Sequence, residues 1–153
     1  MPDAEVRIPD QDGKVLPPGE IGQIYVRHHA LPDFTYINRP QARQAIERDG
    51  LVTLGDIGYL DDDGFLQICD RKADMIISGG VNVYPAEIES VLLTMPDIDD
   101  CAVLGIPHTE FGEAIAAAVQ SHPGTRIDAA AVEAFLRERI ANYKVPRIVD
   151  VHQ

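Results

Sequence analysis

Basic residues are in short supply. The 153-residue chain has 13 lysines and arginines against 25 aspartates and glutamates, a formal charge of −12. The deficit runs through both halves: residues 1–70 carry 6 basic and 13 acidic groups, and residues 71–153 carry 7 and 12. Neither half offers the basic face that non-specific binding to nucleic acid or to an anionic membrane requires. Cysteine is nearly absent as well. Cys69 and Cys101 each lie in an apolar run, LQIC and CAVLGI, without paired-ligand spacing. That suits buried free thiols and argues against a disulfide framework or a metal site. No apolar run approaches the length of a membrane span, and the amino terminus MPDAEVRIPD is neither basic nor followed by an apolar core. A cytoplasmic protein is expected.

What is present is ordinary material for a folded chain: 45% hydrophobic and 25% charged residues, enough for one domain or two small ones. Up to Asp70, Gly and Pro clusters separate short β-branched and aromatic runs. Strands are expected at Glu5–Ile8, Gly22–Arg27, Leu51–Leu54 and Phe65–Asp70, with tight turns at Gly13–Lys14 and Asp63–Gly64. One short helix is expected, capped by Asn38, with Pro40 in its first turn and Gly50 at its end.

Beyond Asp70 the pattern becomes alternating strand and helix. Pro85 opens a segment with Ile88, Val91, Leu92 and Met95 at helical spacing, stopped by Pro96. Cys101–Ile106 and Ile115–Gln120 read as buried strands, and Asp128 caps a helix whose inner face is Val132, Phe135, Leu136 and Ile140. The polar cluster Asp70, Arg71, Lys72, Ala73 and Asp74 between the two patterns is a linker candidate.

Two windows carry chemistry. In DRKADMIISGGVNVYPAEIE (Asp70–Glu89), Gly79 and Gly80 lie between two short strands, where the backbone can turn sharply and approach a ligand closely; locally, a plain hairpin turn is the commoner use of such a pair. In LVTLGDIGYLDDDGFLQICDR, Asp56 follows a glycine at the end of an apolar strand. A carboxylate there can accept two hydrogen bonds from vicinal ribose hydroxyls, although capping a turn is the commoner role. The run Asp61–Asp63 lacks the alternating ligands of a calcium loop and reads as a solvated turn. The histidines pair with no serine or cysteine in a hydrolase pattern.

Together with GEIGQIYVR (Gly19–Arg27), YINRP (Tyr36–Pro40), PHTEFGEAIAAAV (Pro107–Val119) and NYKVP (Asn142–Pro146), these windows resemble the adenylate-forming superfamily along essentially the whole chain, in order. SGGVNVYPAEIE is most similar to the acyl- and aryl-CoA synthetase branch. The resemblance implies an α+β fold: residues 1–70 as the β-hairpin-rich terminal part of the large domain, and residues 71–153 as most of a small, mobile C-terminal domain. It implies ATP, AMP and CoA as substrates, a carboxylic acid as acyl donor, and magnesium in the intact enzyme.

Roles follow by position. Asp56 corresponds to the carboxylate that binds the ribose hydroxyls, and Arg71 to the arginine that assists it. Lys72 and Ala73 fall at the hinge, Ala73 where aspartate or lysine is usual. Ser78, Gly79 and Gly80 match the loop lining the pantetheine tunnel. The family's phosphate loop and magnesium-holding glutamate belong upstream of Gly19, and its catalytic lysine follows the segment that contains Lys144, which itself reads as a solvated residue at a helix end. No metal site and no complete catalytic set are expected within this chain. The expectation is a C-terminal ligase fragment, inactive alone, completed by a large domain or self-associating. The alternative is a stand-alone, non-catalytic module that binds nucleotide, CoA or a protein partner.

Overall fold

The structure, a computed structural model, describes residues 3–10 and 12–152. The chain divides after Ala73 into two compact units, three residues beyond the expected boundary, because a strand carries the chain past Asp70 to Arg71.

The first unit holds strands β1 (Ala4–Arg7), β2 (Gly22–Gln23) and β3 (Tyr25–His28), helix α1 (Pro40–Ala45), then β4 (Glu47–Arg48), β5 (Leu51–Val52), β6 (Asp56–Leu60) and β7 (Leu66–Arg71). They form two antiparallel sheets, ordered β1-β3-β5-β4 and β2-β6-β7. The single strand expected over Gly22–Arg27 is split between them. The chain changes sheet at Ile24, which is buried and donates its N–H to the Asp56 carbonyl at 2.9 Å. Gly22 permits the crossing, since a Cβ there would meet Ile8 and Leu16 side chains at 2.8 Å.

Three local expectations are corrected. Asn38 has φ +62° and precedes Arg39, the residue that flanks α1, so it makes no cap. Gly50 does not end that helix. Asp49 and Gly50, at φ +50° and +79°, form the two-residue turn between β4 and β5, a hairpin geometry that demands positive φ at both positions. Asp56 opens a strand rather than ending one. The turn before Phe65 forms as expected: Asp61 accepts N–H groups of Asp63 and Phe65, and hydrogen bonds led by the Gln67 amide hold its carboxyl below the usual range.

The second unit contains β8 (Ile76–Ser78), β9 (Val81–Val83), α2 (Pro85–Leu92), β10 (Ile98–His108), β11 (Gly112–Ser121), α3 (Ala129–Arg137), a 3₁₀ turn (Asn142–Lys144) and β12 (Ile148–His152). The sheet is mixed. β11 pairs antiparallel with β10 along its length, meets β8 at Gly112–Ser78, and pairs in parallel with β12 from Ala116 to Gln120. β10 and β11 are longer than expected because they continue each other as a hairpin. β12 went unassigned from sequence although Val149 and Val151 alternate with polar residues.

Both helices lie over one core. Ile88 and Leu92 of α2, Val132 and Leu136 of α3, and Ile115, Ala117 and Val119 of β11 belong to a single buried cluster, with Val91, Met95 and Ile140 packed at its margin. Pro85 starts α2 without needing the hydrogen bond that proline cannot donate. The Asp128 carboxylate caps α3 by accepting the Ala131 N–H at 2.8 Å. Glu89 on α2 accepts the Val103 N–H of edge strand β10 at 2.8 Å, satisfying a group the ladder leaves open.

The first unit is less well filled. Its strands are short, and Ile37, Leu54, Phe65 and Ile68 are among its exposed large side chains. Amides of β5 are therefore expected to exchange with deuterium faster than those of Ala117 and Val119, as read by mass spectrometry of the peptides; equal protection would contradict this. In denaturant unfolding, Leu136→Ala should cost roughly 2–5 kcal/mol. Asp128→Ala should cost about 1 kcal/mol through the lost cap.

Candidate functional site

Asp56 and Arg71 are direct cross-strand partners of β6 and β7. A bulge creates that pairing. Ile57 faces Asp70 while Gly58 faces Ile68, so Cys69 is the extra residue; an unbroken ladder would set Asp70 opposite Asp56, carboxylate against carboxylate. Gly58 is needed where the strands crowd, because a Cβ there would stand 2.1 Å from the Gln67 carbonyl oxygen. Arg71 Nε lies 3.6 Å from Asp56 Oδ1, an ion pair without a short hydrogen bond, and the guanidinium side chain is 72% exposed. Both groups retain capacity for a ligand.

Polar side chains brace this end of the sheet. Buried Thr53 accepts the Gly55 N–H at 3.1 Å and the Gln23 amide at 3.0 Å. Lys72 donates from Nζ to Gln23 Oε1 at 3.0 Å and from its backbone to the Gly55 carbonyl at 2.7 Å. Lys72 is thus bonded into the first unit, and the division follows the exposed Ala73. Thr53 and Gln23 escaped the sequence reading; the polar Thr53 beside buried Val52, two residues before a glycine at φ +90°, is the signal that was there.

The second group of site residues, Ser78, Gly79 and Gly80, belongs to the other unit. Gly79 and Gly80, at φ +58° and +80°, are the two-residue turn of the β8–β9 hairpin, and Ser78 pairs with Val81 across it. The turn is therefore a hairpin, and the positive φ at both positions favours glycine there. Gly79 donates its N–H to the Phe111 carbonyl at 2.9 Å, and a Cβ on Gly79 would touch the Phe111 ring at 3.4 Å; around Gly80 there is nothing within 4 Å.

Beside this turn lies a cavity of about 220 Å³ lined by Ser78, Gly79, Val81, Phe111, Tyr143 and Arg147. The Arg147 guanidinium stacks 4.2 Å over the Phe111 ring. Most other arginines answer a carboxylate, as Arg43 does with Asp33 and Glu47, whereas among the described residues Arg147 has no carboxylate partner. Individual roles for Phe111, Tyr143 and Arg147 were not read from sequence, although the segments PHTEFGE and NYKVP contain or adjoin them.

Lys144 is not simply solvated. It donates to both oxygens of Glu87 at 2.6 Å; burial would lower its pKa, and the Glu87 hydrogen bonds and charge outweigh this to hold it above the ordinary lysine value. Both cysteines are half-buried rather than fully buried. Burial, with Glu89 and Asp100 adding to it, pushes the Cys101 thiol up to about 11, so it stays protonated and is no nucleophile. Among the described residues no three His, Cys, Asp or Glu side chains cluster to hold a metal ion. No helix among them is long and apolar enough to cross a membrane.

Residues 87–152 match the family described as AMP-binding enzyme C-terminal domain. The chain is 48% identical over 138 residues to a 2-succinylbenzoate–CoA ligase of Geobacillus kaustophilus, covering 89% of this chain and 28% of that protein. It is 42% identical over 146 residues to a feruloyl-CoA synthase of an Amycolatopsis species, covering 95% and 30%. Among solved structures, ATP-bound MatB from Rhodopseudomonas palustris superposes with a TM-score of 0.92 at 38% identity, over 99% of this chain and 30% of that one. The o-succinylbenzoate CoA synthetase of Bacillus subtilis, in complex with its acyl-adenylate intermediate, gives 0.89 at 38% identity, over 99% and 31%. The chain thus spans about three tenths of the length of the relatives it matches. Residues 87–152 thus carry an AMP-binding enzyme C-terminal domain, and along nearly its whole length the chain is similar to the C-terminal portion of adenylate-forming acyl- and aryl-CoA ligases.

Proposed function

We propose that this segment works within an AMP-forming ligase that joins a fatty or aryl carboxylic acid to CoA. The acid's carboxylate attacks the α-phosphorus of ATP, giving acyl-adenylate and pyrophosphate. The CoA thiol then attacks the acyl carbon, giving a thioester and AMP. The observation that carries the reading is the Asp56–Arg71 cross-strand pair, a carboxylate and an exposed guanidinium 3.6 Å apart. Asp56 accepts hydrogen bonds from the ribose diol shared by ATP and the adenylate, and Arg71 orients it while facing the adjacent phosphate.

Support for the CoA step comes from the second unit. The Gly79–Gly80 turn presents no side chain where the pantetheine arm is proposed to pass. Phe111 and Tyr143 offer flat faces, and Arg147 an unneutralised charge, for the nucleotide end of CoA. In a chain of charge −12, an arginine without a carboxylate partner beside an aromatic-lined cavity suits a polyanionic ligand. Lys72, tied to Gln23 and Gly55, ends the first unit, and rotation between the half-reactions is assigned to the backbone at Ala73. Magnesium belongs to the rest of such a ligase, as does selection of the acid. We place the reaction in the cytoplasm.

The test is a chimera in which this segment replaces the matching portion of the Geobacillus kaustophilus ligase, assayed separately for acid-dependent pyrophosphate exchange and for thioester formation. Asp56→Ala or Arg71→Ala should slow adenylate formation by about tenfold to a hundredfold, the scale of a lost charged hydrogen bond. Full activity in either variant would remove the ribose assignment. Gly80→Asn, which tolerates positive φ, should preserve the melting temperature, while Gly80→Leu should depress thioester formation more than exchange. Equal losses in both assays, with a lowered melting temperature, would reduce the glycine to a turn former.

A further inference from the structure

The β8–β9 hairpin that carries Gly79 and Gly80 is joined to the sheet by very little ladder. β8 meets β11 at one register pair, Ser78 with Gly112, flanked by the Gly79 N–H bond to the Phe111 carbonyl. One residue further along β8 a side chain takes the place of the ladder: Glu113 Oε2 accepts the Ile77 N–H at 2.7 Å. The carboxylate reaches there because Gly105 has no side chain. A Cβ on Gly105 would stand 2.9 Å from Glu113 Oε1 and 3.2 Å from Ile76 Cγ2. Gly105 and Glu113 sit diagonally on paired strands, Gly105 opposite Ile115 and Glu113 opposite Pro107.

We propose that Glu113 is a positioning residue for thioester formation, a clamp from strand β11 onto the Ile77 amide that sets the direction in which the Gly79–Gly80 turn projects. Ile76 and Val83 anchor the base of the hairpin in the core, and towards its turn a single backbone pairing with β11 is all the ladder that holds it. A second attachment, through a charged acceptor close to the first, restrains that end. The ionised carboxylate suits the task because it accepts only, and a backbone N–H bonded to it is held more strongly than by a neutral acceptor. The clamp involves neither Asp56 nor Arg71, which lie in the other unit.

This rests on the CoA-ligase reading, and the chimera described above tests it. Glu113→Ala should slow thioester formation about tenfold while pyrophosphate exchange stays within twofold. Glu113→Gln, which retains a carbonyl acceptor of the same reach, should recover most of the loss. Amide exchange at Ile77 should quicken about tenfold in the alanine variant while Val119 is unchanged. Gly105→Ala, which displaces the carboxylate without removing it, should give the same split, and combining it with Glu113→Ala should add nothing further. Unchanged thioester formation in Glu113→Ala, or equal losses in both half-reactions, would overturn the clamp while leaving the ligase reading intact. If the unsubstituted chimera exchanged pyrophosphate but formed no thioester, the CoA reading would fail and the clamp with it.

Discussion

Strand β11 has two edges and three partners, and the second unit is organised by how it shares them. One edge is occupied by β10 throughout. The other is divided: β8 takes its first residue and β12 its second half, with the Arg147 N–H bonded to the Ile115 carbonyl at 2.9 Å where the division falls. This sharing places the Gly79–Gly80 turn and Arg147 beside one another, although they are far apart in sequence. The cavity between them is a consequence of strand pairing, which is why it sits over a rigid base. On its buried face the same strand packs Ile115, Ala117 and Val119 against both helices, and Ile115 also lines the cavity, so the candidate site borders the core directly.

In the first unit the corresponding constraint is a single extra residue. The bulge at Cys69 shifts β7 by one position and brings Arg71, not Asp70, opposite Asp56. A carboxylate facing a carboxylate would repel, whereas the observed register gives Asp56 a cation beside it. Gly58 makes the shift sterically feasible. Bulges commonly re-aim a side chain at a functional edge, and here the re-aimed residue is Arg71, the arginine proposed to assist Asp56.

How much of this was legible depended on the range of the interaction. The α2 and α3 faces, the Pro85 start and the Asp128 cap are local, and their spacing expresses them directly. The strand break at Ile24, the Asp49–Gly50 hairpin and the parallel strand β12 depend on which strand lies alongside, and periodicity alone carries no such information. The same division holds at the site. Asp56, Arg71 and the glycine pair stand in short windows, whereas Phe111, Glu113 and Arg147 gain meaning only when β8 is laid against β11. Lys144 is a further case: Glu87 is distant in sequence and turns an ordinary surface lysine into an interelement tie.

The paired glycines show why a conformational role and a functional one need not compete. Both sit at positive φ in a two-residue turn, so β-hairpin geometry alone favours glycine at each. Space distinguishes the two positions. A side chain on Gly79 would press on Phe111, inside the fold, whereas one on Gly80 would meet nothing within 4 Å. Internal packing therefore gives no reason for Gly80 to lack a side chain, and asparagine would satisfy its backbone at small cost. A preference for glycine over asparagine at that position would have to come from outside the unit, from something that passes over the turn, and a narrow thiol-bearing arm has the required dimensions.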